Sequence, residues 1–119
     1  MALTLNESEK MEIIYTSEFK RNLRHLAKKY RNIRSDIEPV IEKLQSGEML
    51  GDQIPRIEYI LYKVRVRNSD VQKGKSGGYR LIYYLQTTDQ IILVTIYSKS
   101  EQSDISANQI RRILDQTDT

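Results

Sequence analysis

Basic residues in the stretch LYKVRVR alternate with apolar ones, and their spacing suits a polyanion. Lys63, Arg65 and Arg67 fall on one face of a predicted strand, and apolar side chains fall on the other. Residues two apart on a strand are about 6.6 Å apart, which is comparable to the phosphate spacing of a nucleic acid strand. The pattern predicts a row of cations that follows such a backbone. The alternative is an edge strand that uses cations to block aggregation.

Further candidates lie on the next two predicted strands. Arg80 follows two glycines near a strand end, from which it can reach the same face; an arginine paired with a carboxylate is the alternative. A second cluster lies where the last strand gives way to the final helix: Tyr97, Lys99, Glu101 and Asp104. Such junctions often carry function. A capped helix start, with Asp104 favouring the helix dipole, explains the same residues without a site.

The stretch KGKSGGYR ends like a phosphate-binding P-loop but fails the motif. The second glycine at Gly74 would require another at position 69, where the chain has Ser69. A strand follows at once, whereas a P-loop needs a helix N-terminus. We therefore interpret the stretch as a glycine-rich hairpin loop whose Lys73 and Lys75 steer a polyanion.

Composition narrows the function classes. The 119 residues include no cysteine and a single histidine, His25, so a histidine acid/base pair and thiolate metal sites are excluded. We expect no metal, no cofactor, no membrane span and a cytoplasmic location. The net charge is +3, but residues 20–34 carry seven basic and no acidic side chains, and residues 56–80 carry seven and two. Two such blocks suggest a polyanion-facing surface, and a solvated helix with a charged strand is an equal alternative.

The elements that must position these residues follow the order strand, helix, helix, three strands, helix. Periodicity predicts the α+β class: a small antiparallel sheet, made of the first strand and a three-stranded meander, with a helical hairpin on one face and a C-terminal helix. The other face can meet solvent. The predicted helix starts are Thr16 or Ser17, a capping box at Ser35 and Glu38, and Ser103 or Ser106. Residues 1–10 are expected to be a flexible extension before a single domain, 11–119.

The surviving candidates are lysines, arginines and tyrosines without a metal site. RNA cleavage by the 2′-hydroxyl suits them, because the substrate supplies the nucleophile and the protein supplies orientation, proton transfer and charge stabilisation. Arginine suits the last task because its fork matches two phosphate oxygens.

The segments LYKVRVR, GGYRLIYYL, ILVTIYSKSEQSDIS and IRRIL, in this order, resemble the RelE/ParE superfamily of toxin–antitoxin toxins. The likeness runs from about Glu12 to Leu114, and KGKSGGYR is most similar to HigB-type members of the RelE branch. The resemblance implies a type II toxin that enters the ribosomal A site and cuts mRNA. It also implies a cognate antitoxin, typically a DNA-binding protein with a helix-turn-helix.

Carried over residue by residue, the resemblance implies four catalytic cations: Lys63, Arg65, Arg80 and Lys99. RNA-binding candidates are Arg67, Lys73, Lys75, Tyr97, Arg24 and Lys28. This chain departs from the pattern at Ser100 and Ser106, where RelE proteins carry an arginine and a tyrosine, so Tyr97 and Glu101 are the candidates for acid or base. The alternatives are a ParE-like inhibitor of DNA gyrase and a catalytically weakened toxin that acts mainly as an antitoxin partner.

Overall fold

The computed structural model describes residues 10–71 and 77–117. Its elements in chain order are β1 (Glu12–Tyr15), α1 (Ser17–Lys29), α2 (Ile33–Gln45), β2 (Asp52–Gln53), β3 (Leu61–Val66), β4 (Tyr79–Thr87), β5 (Gln90–Ser98) and α3 (Ala107–Gln116). This confirms the predicted α+β class. The expected N-terminal extension falls outside the described residues up to residue 9, and the single-domain boundary stays a prediction. No helix among the described residues is both long and apolar enough to cross a bilayer.

The strands form one sheet in the order β1-β5-β4-β3-β2. β3, β4 and β5 make the predicted antiparallel meander. β1 runs parallel to β5, with Glu12 opposite Gln90, so the sheet is mixed where the sequence predicted an antiparallel one. No short turn fixes the direction of β1, because the whole helical hairpin and the meander separate it from its partner. The short β2 lies between the second helix and the meander, where no strand was predicted, and it pairs with β3.

The helical hairpin covers one face of the sheet. The main core lies between them and includes Phe19, Leu26, Ile33, Ile37, Leu44, Leu81, Tyr83 and Leu93. Thr16 caps α1: its hydroxyl accepts from the amide of Phe19 at 2.9 Å and donates to the carbonyl of Val94 at 2.7 Å. The cap thereby ties the start of the helix to β5.

The start of α2 differs from the prediction. The helix begins at Ile33, before the proposed capping box, and the Ser35 hydroxyl instead donates to the carbonyl of Asn32. Ile33 is fully buried, so core packing draws it into the first turn. Pro39 is therefore a helix-interior residue and leaves the carbonyl of Ser35 without its usual i+4 amide donor.

The second face of the sheet is partly covered, whereas the sequence left it open to solvent. α3 packs there, and its Ile110 joins Leu61, Ile82, Ile92 and Val94 in a smaller core. Ser106 starts this helix with a capping box to Gln109, which decides between the two predicted caps. The part of this face near the beginning of β4 stays uncovered, and the predicted site lies there.

Candidate functional site

One cleft brings together the four cations predicted to be catalytic. The cleft measures about 470 Å³ and opens on the face that carries α3. Its lining comprises Asp52, Gln53, Ile54, Pro55, Lys63, Arg65, Arg80, Lys99, Ser103, Asp104 and Ile105. Three strands and the segment after β5 thus contribute to one concave surface, although the four cations are separated by up to 36 positions in the chain.

Strand register explains how the cations meet. Arg65 on β3 lies opposite Arg80 on β4, and Arg80 lies opposite Tyr97 on β5. Lys63 is two residues from Arg65 and therefore points to the same side of the sheet. The amide of Lys99 donates to the carbonyl of Gly78 at 3.0 Å, which fixes the end of β5 beside the start of β4.

Arg65, Arg80 and Lys99 present uncompensated positive charge. None of the three has a carboxylate within ion-pair distance in the part of the chain that the structure describes. The only side-chain hydrogen bond of Arg80 there runs from Nη1 to the carbonyl of Tyr79, at 3.2 Å. Like charges opposite each other destabilise a sheet, so the Arg65–Arg80 pair has a cost that a bound anion would remove. Beyond Lys63, β3 is also an edge strand, where cations discourage strand addition.

Lys63 differs from its neighbours because a carboxylate holds it. Its ammonium lies 2.8 Å from Oδ1 of Asp104. The same oxygen accepts the backbone amide of Ile105 at 2.8 Å. The hydrogen bond from Lys63, followed by that amide, lowers the pKa of Asp104 below its usual value, so the carboxyl is ionised at neutral pH.

Tyr97 lies next to the cations but is buried, at 5% exposure, and does not line the cleft. Its hydroxyl makes no hydrogen bond of ordinary geometry among the described residues, but it lies close enough to the Asp104 carboxylate for the two groups to interact. Burial raises the pKa of Tyr97 to about 12; the charge of Asp104 adds to the rise and that of Arg80 opposes it. The phenol therefore keeps its proton at neutral pH and cannot act there as a base.

A family model described as the RelE toxin of the RelE / RelB toxin-antitoxin system matches residues 11–117. The chain belongs to the RelE toxin family. It is therefore a toxin of a toxin–antitoxin system, and a cognate antitoxin is its partner. The HigB-like branch stays a prediction, and residues 72–76, which include much of the loop behind that expectation, lie outside the described residues.

In this RelE-family toxin Glu101 lies away from the cleft. Its carboxylate is 3.0 Å from the ammonium of Lys29 and 3.6 Å from Nε2 of His25, both on α1. The hydrogen bond from Lys29 is the main cause of a lowered pKa of Glu101. The residue thus ties the segment after β5 to α1, and the structure does not bring it to the four cations.

The other predicted RNA contacts of the toxin are distributed over its surface. Arg67 is exposed just beyond the end of β3, and Arg24 and Lys28 are exposed on α1; none of them lines the cleft. Lys73 and Lys75 lie outside the described residues. Within residues 10–71 and 77–117, no group of three or more His, Asp or Glu side chains could hold a metal ion.

Asp104 belongs to the cluster predicted at the end of the last strand, but the sequence assigned it no specific role in the site. Its partner Lys63 is 41 positions away in the chain. Local patterns predicted either a functional cluster or a helix start near Asp104, and its contact with Lys63 depends on how the last loop folds back over β3. The single signal available was the proximity of Asp104 to Lys99 at a strand end.

Proposed function

We propose that this toxin is a metal-independent endoribonuclease that cuts mRNA on the ribosome. The observation that carries the proposal is the cleft lined by Arg65, Arg80 and Lys99, none of which has a carboxylate within ion-pair distance among the described residues. Such a set of donors suits a phosphodiester, because two guanidinium forks can each engage phosphate oxygens and stay charged at any physiological pH.

The proposed reaction uses the RNA as its own nucleophile. The 2′-hydroxyl loses its proton to water in the open cleft as its oxygen attacks the adjacent phosphorus, and the bond from phosphorus to the 5′-oxygen breaks. The products therefore carry a 2′,3′-cyclic phosphate and a 5′-hydroxyl. Arg65 and Arg80 stabilise the charge that grows on the non-bridging oxygens. The ammonium of Lys99 donates a proton to the leaving 5′-oxygen. Lys63 holds the neighbouring phosphate, since it lies about 6.6 Å along the same strand face from Arg65.

The proposed restriction of cutting to mRNA on the ribosome fits the shape of the cleft and the charge of the protein surface. The cleft is an open groove lined by phosphate-binding groups, and these position a backbone without reading its sequence. The basic block of residues 20–34, which includes Arg24 and Lys28, offers a second surface for ribosomal RNA. We propose that this surface docks the toxin so that the mRNA reaches the cleft in a defined register.

A translation reaction tests the proposal. Addition of the toxin should yield mRNA cut at codon positions, and Arg80→Ala should lower the cutting rate by about 100-fold or more, the usual scale for loss of one donor to a transition-state oxyanion. Arg112→Ala is the matched control, because Arg112 is an exposed arginine on α3 outside the cleft.

Full cutting by Arg80→Ala would contradict the site assignment. An intact mRNA together with poisoned DNA supercoiling would instead identify a ParE-like gyrase inhibitor. Intact mRNA and intact supercoiling with the antitoxin still bound would identify a weakened toxin.

A further inference from the structure

Within the described part of the chain, negative charge lies near only one of the four cations in the cleft, and this uneven distribution suggests a role for Asp104. Of the four cations, Lys63 alone has a carboxylate within ion-pair distance among the described residues. We propose that Asp104 competes with RNA phosphate for Lys63, so that the cleft grips RNA fully only after the carboxylate has been displaced. This inference rests on the proposed RNA-cleaving function and adds a residue that restrains binding of RNA in free solution.

The Asp104 carboxylate occupies a contact with the Lys63 ammonium that a phosphate oxygen would need in order to bind Lys63. Oδ1 of Asp104 accepts from both the Lys63 ammonium and the Ile105 amide, each at 2.8 Å. The carbonyl of Asp104 accepts from Nε2 of Gln102 at 3.0 Å, and the capping box at Ser106 follows two residues later. These hydrogen bonds order the backbone on both sides of Asp104 and so position its carboxylate next to Lys63.

The exposure of the pair makes it replaceable. The Asp104 side chain is 67% exposed and that of Lys63 is 33% exposed. Exposed ion pairs are weak, because water screens both charges and the long side chains lose freedom. A phosphodiester carries the same charge as the carboxylate and is also attracted by Arg65, Arg80 and Lys99. A bound RNA strand therefore displaces the Asp104 carboxylate from Lys63.

The positions of the carboxylates around the cleft strengthen the competition for Lys63. Asp52, a second carboxylate of the lining, is the register partner of Lys63 on β2. Both carboxylates therefore lie at the Lys63 end, whereas the end formed by Arg65 and Arg80 has uncompensated cations. A single phosphate binds at the uncompensated end. A strand that offers a second phosphate at the spacing of Lys63 must displace Asp104.

Binding of a 2′-O-methyl RNA of about ten nucleotides tests the inference, because the blocked hydroxyl prevents cutting and the length covers a typical single-strand site. Fluorescence anisotropy with the full-length toxin should show that Asp104→Asn binds about two- to fivefold more tightly, the factor expected for release of an exposed ion pair. The slope of log K against log salt should stay within about 0.7 of the native value, the change that one phosphate contact would cause, because Lys63 meets the same phosphate in both complexes. Asp115→Asn on α3 removes the same charge outside the cleft and should change neither quantity.

A double-mutant cycle separates this contact from a general charge effect. On a Lys63→Met background, Asp104→Asn should give no gain in affinity, since no cation remains to be released. An equal gain on both backgrounds, or equal binding by the native toxin and the Asp104→Asn and Asp115→Asn variants, would overturn the competition while leaving the proposed function intact. Absence of RNA binding by every variant at low salt, with no mRNA cutting on ribosomes, would overturn both.

Discussion

Tyr97 and Tyr79 form a natural pair for testing whether a phenol takes part in the chemistry. Both hydroxyls are buried without a hydrogen-bond partner among the described residues. Tyr97 lies beside Arg80 on the cleft side of the sheet. Tyr79 belongs to the core under the helical hairpin, where its ring meets that of Tyr30 edge-to-face with centroids 5.8 Å apart. Replacement of either residue by phenylalanine removes one oxygen and keeps the ring.

Both substitutions are expected to stabilise the fold. A buried polar group without a partner costs about 1–3 kcal/mol, and phenylalanine removes this penalty at the expense of a small void. We expect the free energy of unfolding to rise by about 1 kcal/mol in Tyr79→Phe and by less in Tyr97→Phe, because the Tyr97 hydroxyl also interacts with the Asp104 carboxylate. Urea denaturation should show a higher midpoint with an unchanged slope, since the surface exposed on unfolding is almost the same.

Cutting of mRNA should be nearly unchanged in both variants. The Tyr97 hydroxyl is inaccessible and does not line the cleft, so it is not positioned to touch RNA, and Lys99 is the proposed proton donor. A loss of about 100-fold or more in Tyr97→Phe alone, the scale of a missing general acid, would refute this reasoning. A fall in stability of either variant would show that its hydroxyl has a partner in solution.

Two further predictions concern stability. The free energy of unfolding should fall as pH rises above 10. Burial raises the pKa of Tyr83 and of Tyr97 to about 12 in the folded protein, whereas tyrosines of the unfolded chain ionise near 10.0. Between these pH values the unfolded chain binds fewer protons than the folded protein, so a rise in pH favours unfolding. Urea unfolding at about pH 8 and pH 11 measures this, and equal midpoints would contradict it. Gly78→Ala should cost about 2–3 kcal/mol, because Gly78 has φ +90° and a Cβ there would lie 2.7 Å from the carbonyl oxygen of Val66. Gly47→Ala, with φ +98° but nothing within 4 Å, should cost only about 1–2 kcal/mol in the same denaturation assay, and equal costs would show that the close approach is relieved.

Local patterns predicted which cations share one face of the sheet, whereas their catalytic role stays a prediction. The alternation in β3 fixed which side Lys63 and Arg65 share, since a period of two depends only on neighbouring residues. Short connections then made the antiparallel meander predictable, and its register brings Arg80 opposite Arg65. The strand patterns thus predict Lys63, Arg65 and Arg80 on one surface, and the resemblance adds Lys99 to them.

Local patterns could not predict contacts between residues that are far apart in the chain. The parallel pairing of β1, the burial of Ile33 that starts α2 early, and the packing of α3 on the second face each depend on segments far apart in the chain. The same holds for the charge partners. Glu101 pairs with Lys29 across 72 positions, so the loop that carries both Glu101 and Asp104 directs one carboxylate to α1 and the other to Lys63.

Ser100 and Ser106, the two departures from the RelE pattern, have structural roles that bear on the weakened-toxin alternative. The hydroxyl of Ser106 accepts the Gln109 amide and starts α3, while that of Ser100 lies 2.9 Å from the hydroxyl of Ser98. Neither serine can replace the charge of an arginine or the proton of a phenol, and the nearest phenol, Tyr97, is buried. If the toxin cuts RNA, the chemistry therefore depends on Lys99 and the two arginines, and we expect orientation of the 2′-hydroxyl by the ribosome to contribute much of the rate.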